Sequence, residues 1–492
     1  MVIDKVHDYN KLGFKAGLEI HQQLDTPKLF SGAPSFLRND KPDYIISRRL
    51  HAVAGESGNV DEAVKHEASL DKQFFYEGYN DTISLVELDD EPCHSINEEA
   101  LNVALTIALL LNCEIYPVTQ VMRKTVIDGS NTSGFQRTVL IAHDGFVETS
   151  FGKVSIDYLF LEEDSARPAG KENDGSGNKN FKVWKLDRLG IPLVEISTGP
   201  HMYSSEQVKE CALKLGEILR ACKVKRGIGT IRQDVNVSIK GHDRVEIKGF
   251  QDPKMMIKTV DCEIDRQILD LKNGDVIGGV RNALPNGESE FLRPMPGASR
   301  MYPETDLSLL RIGRARIDML KKNLPKLKTD IRDELRKKGV SEDLIELVIN
   351  SSELFDEFNI LINVYPVDAN LVAKMVTLWR QEFASKSGKS FDEVKLVLNE
   401  KVYEEILNAI DDEKITVSDV KQVLIKIISG VGVKDALKIE KISDDDIEKE
   451  IREIVKSKPG MRANAYMGML MAKFKGELDA KKAMELINRV LG

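Results

Sequence analysis

Short bursts of alternation between apolar and polar residues dominate the chain from residue 14 to about residue 310. Leu18–Leu24, Val154–Phe160, Thr230–Ile239 and Arg244–Lys248 have the period of two that a strand with one buried face requires. Two helices interrupt the strands. Asn97 ahead of Glu98 and Glu99 makes a helix start, because the amide oxygen accepts from orphaned N–H groups and the acids oppose the dipole. The apolar run to Leu111 then predicts deep burial. Ser204 with Gln207 resembles a capping box, and Val208, Cys211, Leu215, Ile218 and Cys222 follow at helical spacing. Lys171–Asn180, rich in Gly, Asn and Lys, predicts an exposed turn.

The texture changes near Ile312. Alternation stops, and Lys, Glu, Leu and Ile recur at intervals of three and four, which predicts helices to the end. Breaks fall at Ser429–Gly432 and at Pro459–Gly460. The expected organisation is an α/β body over 1–310, an all-α helical domain over 311–428 and a small helical tail domain over 429–492.

Composition narrows this picture. A chain of 492 residues exceeds one ordinary core, and about two to four domains are expected. Its most apolar stretch, Ala104–Leu111, is far too short to span a membrane, and residues 1–20 lack a secretory leader's pattern. Five scattered cysteines form no C-x-x-C pair, which argues against structural zinc or disulfides and for a reducing cytoplasm. A net charge of −9 excludes indiscriminate coating of nucleic acid. Residues 456–492 nevertheless carry eight Lys or Arg against three acids. That run fits either a solvated helix face or a phosphate-contacting surface. Met467, Met469, Leu470 and Met471 are expected to pack inward while Lys473, Lys475, Lys481 and Lys482 face out.

Four constellations could carry chemistry. On the strand from Leu18, period two puts Glu19, His21 and Gln23 on the side opposite Leu18 and Ile20. An acid and an imidazole so placed fit either an exposed polar face or a shared metal. Glu162, Glu163 and Asp164 adjoin one another after an apolar strand, and three neighbouring carboxylates repel unless cations compensate them; hard oxygens of this kind suit magnesium. Arg232, Asp234, Asn236 and Ser238 share one face of a third strand, with Glu246 and Lys248 expected on its neighbour. Such groups could hold a metal and neutralise charge on a transferred phosphoryl group. Finally, Ile127–Arg137 packs turn formers, hydroxyls and an amide into a loop that fits an anion-cradling turn or an ordinary Asx-rich one. No P-loop, Rossmann fingerprint, kinase signature or G-x-S-x-G elbow occurs, and no Cys-His arrangement is evident.

Taken together, Gly17–Leu24 (GLEIHQQL), Met122–Thr138 (MRKTVIDGSNTSGFQRT), Leu161–Asp164 (LEED), Leu186–Ile196 (LDRLGIPLVEI), Thr230–Val237 (TIRQDVNV), Val245–Gly249 (VEIKG) and Met301–Asp306 (MYPETD) closely resemble the GatB/GatE family of tRNA-dependent amidotransferases. The forms GLEIHQQLDT and DGSNTSGFQRT resemble its archaeal GatE branch more than its GatB branch. The resemblance covers essentially the whole chain. It implies a cradle-shaped, kinase-like α/β domain, a helical domain and a YqeY-like tail that contacts tRNA. It further implies phosphorylation, by ATP with Mg2+, of the γ-carboxylate of glutamate carried on tRNA(Gln), followed by displacement of phosphate by ammonia. The ammonia would come from a separate asparaginase-like amidase partner, in a heterotetramer with two copies of each chain.

Matched motif by motif, the resemblance places Glu19, His21, Glu162 and Glu163 near the metal. Asn131, Ser133, Gln136, Asp187 and Arg188 shape the nucleotide or glutamyl end, and Arg232, Asp234, Asn236, Glu246 and Lys248 line the same pocket. Glu19, His21, Glu163, Arg232, Asp234 and Lys248 are the expected catalytic set. Two departures stand out. Gln267 reaches Tyr302 in about 35 residues, with no room for the aspartyl-tRNA-synthetase-like insertion usual in the GatE branch. Ser31-Gly32-Ala33-Pro34 replaces a frequent Cys-x-Cys-Pro, so no zinc site is expected there. A GatB-type enzyme that also accepts Asp-tRNA(Asn), and a tRNA-binding protein with an inactive cradle, are the alternatives.

Overall fold

The computed structural model describes residues 7–52, 54, 58–60, 62–170, 181–250, 253–295, 301–365, 368–438, 444–473 and 480–491. The turn expected at Lys171–Asn180 lies outside the described residues, as do Lys475 and the side chains of Lys481 and Lys482. The chain divides into two compact units, residues 1–327 and 328–492.

The strand Lys15–Gln23 runs through the middle of the first unit's large sheet. In spatial order that sheet comprises Ser289–Arg293, Gly279–Ala283, Val245–Phe250, Ile231–Ser238, Lys15–Gln23, Pro192–Thr198, Gly152–Glu163, Phe135–Thr149, Val121–Thr125 and Met301–Pro303. Neighbours are antiparallel except Val245–Phe250 and Gly279–Ala283, which the helix Pro253–Asn273 connects as a parallel crossover. Alternation sorts the sheet into a dry face and a polar one. Leu18 and Ile20 join a core with Leu101, Leu105, Val208, Leu215, Val260 and Ile264, contributed by three helices. Those helices are Glu98–Leu110, Ser205–Ala221 and Pro253–Asn273. Each such buried aliphatic side chain contributes roughly 1.5–3 kcal/mol.

The helix starts follow the sequence signals. Asn97 accepts from the backbone of Glu99 and Ala100. Ser204 accepts from Gln207 N, but the Gln207 side chain accepts from Tyr203 N rather than closing the box on Ser204. The strands lie where alternation predicts them, with ends shifted by a few residues because cross-strand pairing rather than local pattern ends a strand.

A second sheet of four strands, Tyr44–Arg48, Gln73–Gly78, Phe181–Lys185 and Arg167–Pro168, has its own core of Phe74, Tyr76, Trp184 and Leu186. Gly129 has φ +89° and lies so near Phe74 that a Cβ would overlap the ring, which lets the loop after Thr125 pass this sheet.

The second unit is helical. Phe358, Val372, Leu407 and Leu424 centre one core, which extends to Ala436, past the break at Ser429–Gly432. Helices Asp444–Ser457, Ala463–Lys473 and Ala480–Leu491 enclose another, around Ile451, Tyr466, Leu470 and Ile487. Met467, Met469 and Met471 pack against it, and Lys473 is ion-paired with Glu450. Helical periodicity begins before the first unit ends. Ile312 is buried in the α/β core and Arg314–Lys322 packs there, so periodicity alone misplaces the division.

One clasp ties the body together. Glu304 is wholly buried and accepts from Arg123 at 2.5 Å, Arg137 at 2.9 Å and the backbone of Asp306 at 3.0 Å. Glu304→Ala leaves Arg123 with Asp306 and Arg137 with Glu163, each 3.4 Å away, and a loss of about 3 kcal/mol is expected in urea unfolding. Arg452→Ala, on an exposed helix pair, should cost less than about 1 kcal/mol.

Candidate active site

Cross-strand register assembles the polar face. Glu19 lies opposite Asp234 on one side, and His21 lies opposite Arg232 and Glu195. Glu162 faces Leu193 and Thr138, two positions along from Glu195. Glu19, His21, Glu162, Glu195, Arg232 and Asp234, with Lys124, Asn131, Gln136, Asp164 and Lys248, line a cavity of about 490 Å³. The loop from Val126 to Asn131 and the helix Glu62–Ser69 complete its wall.

The contacts are short and alternate in sign. His21 Nε2 is 3.2 Å from Glu195 Oε2 and 3.4 Å from Glu19 Oε1. Lys124 donates to Glu162 at 2.8 Å and Glu195 at 3.5 Å, and Thr138 donates to Glu162 at 2.6 Å. Lys248 lies 2.6 Å from Asp234 and 2.5 Å from Glu246. Asp164, buried, accepts from Gln23 at 2.6 Å and from Arg232 at 2.8 Å. Burial lifts the Glu19 carboxyl to about 7, reinforced by Glu195 and opposed by His21. Burial works against a charged His21, but the Glu195 hydrogen bond and the charges of Glu195, Glu19 and Glu162 raise it to about 9. Burial opposes the charge on Lys248 too, and its two carboxylates hold it well above the usual lysine range.

Of the expected residues, Glu19, His21, Asn131, Gln136, Glu162, Arg232, Asp234 and Lys248 line the cavity, with Glu246 bound to Lys248 beside it. Glu163 does not join them. Adjacent residues on a strand point to opposite faces, and Glu163 pairs behind the wall with Arg137, 3.4 Å away. The acidic triplet is therefore compensated by separate cations: Lys124 for Glu162, Arg137 for Glu163, Arg232 and Arg188 for Asp164. Asp187 is also placed elsewhere, wholly buried against Arg167 and the backbone of Arg38. Arg188 donates to the carbonyls of Ser165 and Ala166, Ser133 to that of Phe135, and Asn236 sits across from Gly17 and Glu246; none lines the cavity.

Two wall residues are not among those the sequence singles out. Glu195 interrupts the apolar run Pro192, Leu193, Val194 and Ile196, and an acid inside that run was the available signal. Lys124 sits between Arg123 and Thr125 on the mixed strand Val121–Thr125, where no such signal marks it. Asn131 carries a further mark. It is 2% exposed, and among the described residues neither amide atom has a hydrogen-bond partner. Leaving buried polar atoms unsatisfied costs about 1–3 kcal/mol each, so the amide is set for something that enters the cavity.

The donor set fits a divalent cation. Glu19, His21 and Asp234 form one triad and His21, Glu162 and Glu195 another, with each triad's ligand atoms within 4.8 Å of one another. Carboxylates around one imidazole, with room for water, suit Mg2+ or Mn2+. No cysteine lines the cavity, and Cys93, Cys113 and Cys211 are buried elsewhere. Acids whose ligand atoms converge beside Lys124, Arg232 and Lys248 suit a cation together with an anionic group.

Comparison with known proteins places this chain in a family. The model of the GatB/GatE catalytic domain matches residues 14–318. The E-type subunit of the glutamyl-tRNA(Gln) amidotransferase of Methanocaldococcus jannaschii is 34% identical over 98% of this chain and 99% of its own length. The protein of the same name from Methanothermobacter thermautotrophicus is 32% identical over 94% and 95%. One from Methanococcus maripaludis strain C6 reaches 43% over 62% of this chain and 47% of its own. The chain belongs to the GatB/GatE family. The first of these alignments spans 648 positions, more than the 492 residues here, so that relative holds sequence without a counterpart in this chain.

Proton linkage at the site has a definite sign. The folded chain raises Glu19 from 4.5 to about 7 and His21 from 6.5 to about 9, so it favours their protonated forms. That contribution fades as pH rises through about 7 and then about 9. A divalent cation competes with those protons, so Mn2+ should bind more tightly at about pH 8.5 than at about pH 6, with proton release. Calorimetry in buffers of different ionisation enthalpy measures both; pH-independent binding would contradict it.

Proposed function

We propose that this chain is the tRNA-facing, ATP-using subunit of an amidotransferase that converts glutamate carried on tRNA(Gln) into glutamine. The observation that carries the reading is the pair of triads sharing His21, set in one cavity with Lys124, Arg232 and Lys248. A γ-carboxylate oxygen of the glutamyl group attacks the γ-phosphorus of ATP and ADP leaves. Ammonia then attacks the acyl carbon, phosphate leaves, and the nitrogen gives up a proton. The first step brings two anions together, which is why phosphoryl transfer needs positioning and cations more than a protein nucleophile.

In this reading Glu19, His21, Glu162, Glu195 and Asp234 would hold Mg2+, which supplies charge neutralisation at the phosphates when bound. Lys124, Arg232 and Lys248 stabilise charge developing on the transferred group. Asn131 and Gln136 orient the nucleotide or glutamyl end. Asp187, Arg188, Glu163, Ser133, Asn236 and Glu246 act from behind the wall by fixing the strands and loops that carry these groups. No described residue of the cavity wall offers a thiol to release ammonia from an amide donor. As the family resemblance implies, ammonia comes from an asparaginase-like amidase partner, in a heterotetramer with two copies of each chain. The α/β unit acts as a cradle for the acceptor end, and the YqeY-like tail approaches tRNA elsewhere. The setting is the cytoplasm, where aminoacylated tRNA is made; no described helix is long and apolar enough to cross a membrane.

The test combines the purified chain and its amidase partner with Glu-tRNA(Gln), ATP, Mg2+ and asparagine. Gln-tRNA(Gln) should form, and omitting Mg2+ or ATP should stop it. Lys248→Ala should lower turnover by about a hundredfold or more. Failure to form the glutaminyl product would sink the reading.

A further inference from the structure

The acids of the cavity wall meet opposite charges, with two exceptions. Glu19 and Glu195 face His21, Glu162 faces Lys124, Asp164 faces Arg232 and Asp234 faces Lys248. Glu67 and Asp128 are left. Both line the same cavity, and among the described residues no cation pairs with either. Neither belongs to the triads that converge on His21. They come from outside the large sheet. Glu67 lies on the helix Glu62–Ser69, one turn beyond Val64, so both side chains share the helix face at the cavity. Asp128 lies in the loop between Val121–Thr125 and Phe135–Thr149.

That loop is held at several points. One Asp128 oxygen accepts from the backbone N–H and the hydroxyl of Ser130, at 2.9 and 2.6 Å, and the other oxygen has no partner among the described residues. The Ser130 carbonyl accepts from Ala166 N at 2.8 Å, and Thr132 donates to the Glu87 carbonyl at 2.7 Å. Asn131 stands between these anchors, buried, with both atoms of its amide unbonded. The cost of such an amide is offset only when a ligand meets it.

A ligand that suits two unpaired acids carries positive charge, because a second anion is repelled there and a hydroxyl leaves the acids uncompensated. The reactants proposed above are anionic at the triphosphate and at the γ-carboxylate. Apart from the metal, their one cation is the α-ammonium of the glutamyl group, which is free because the ester to tRNA uses the α-carboxyl. We infer that Glu67, Asp128 and Asn131 form the subsite for that ammonium. Asn131 Oδ1 accepts from it, and Nδ2 donates to the adjacent ester carbonyl. Val64 and Ile127, both buried in the cavity wall, cover the methylenes that lead to the γ-carboxylate. The inference rests on the substrate proposed above and names the part of it that these residues read, a free α-amine.

The test compares tRNA(Gln) carrying glutamate with tRNA(Gln) carrying 2-hydroxyglutarate through the same ester, in which a hydroxyl of similar size replaces the ammonium. Binding of each, and of deacylated tRNA(Gln), is measured on the complex of this chain with its amidase partner. The unaltered complex should bind the glutamyl form about tenfold more tightly than the hydroxy form. Glu67→Gln with Asp128→Asn should abolish that preference and leave the affinity for deacylated tRNA(Gln) and the KM for ATP unchanged. Equal binding of the two forms by the unaltered complex would overturn the subsite with no variant needed. So would a preference that survives in a double variant with unchanged melting. A rise in the KM for ATP alone would also overturn it, by giving the two acids to the hydroxyls of the nucleotide. Binding needs no turnover. A complex that prefers the glutamyl form yet makes no glutamine contradicts the proposed reaction alone, and one that makes glutamine without that preference contradicts the subsite alone.

Discussion

A sheet can bury charge on its face only when every charge has an opposite one within reach, because an unpaired ion in a low-dielectric setting costs several kcal/mol. The central strand Lys15–Gln23 sets this constraint. Its odd positions carry Glu19 and His21 into a cavity while Leu18 and Ile20 lock its other side against helices. Glu195 and Lys124 then balance His21 and Glu162, and Lys248 balances Asp234 and Glu246. Opposite charges meet across strands, and removing one leaves its partners less well compensated. The same arrangement suits chemistry in which charge is brought in, moved and released.

The dry side makes this possible. Helices Glu98–Leu110, Ser205–Ala221 and Pro253–Asn273 cover the strands beneath the site, so the polar side chains project from a rigid base. Behind the outer strands the Glu304 clasp holds Arg123 and Arg137, immediate neighbours of Lys124 and Gln136. Site residues and clasp residues alternate along the same strands, so stability and function are tied by register. Gln22 and Gln23 extend that logic to the strand's end, where one secures a surface loop and the other the wall.

Local pattern made Glu19, His21, Arg232 and Asp234 legible, because a period of two decides a side chain's face without knowing what lies opposite. It also separates Glu162 from Glu163, a consequence that a motif read as a block conceals. Glu195 and Lys124 depend on pairings far apart in sequence, such as His21 with Glu195, which no local window contains. The end of the first unit was hidden for a related reason. Arg314–Lys322 is helical in sequence, but Ile312 and the residues after it still pack on the α/β core.

The central claim is that the glutamyl carboxylate itself takes up phosphate. It is tested most directly by loading tRNA(Gln) with glutamate labelled with oxygen-18 in both γ-carboxylate oxygens and following the label through amidation by the complete complex. If carboxylate attacks ATP and ammonia later displaces phosphate, each phosphate released with a glutamine carries one labelled oxygen. Phosphate free of label, with glutamine still formed, would mean that the carboxylate was never phosphorylated and that this face of charges serves some other end.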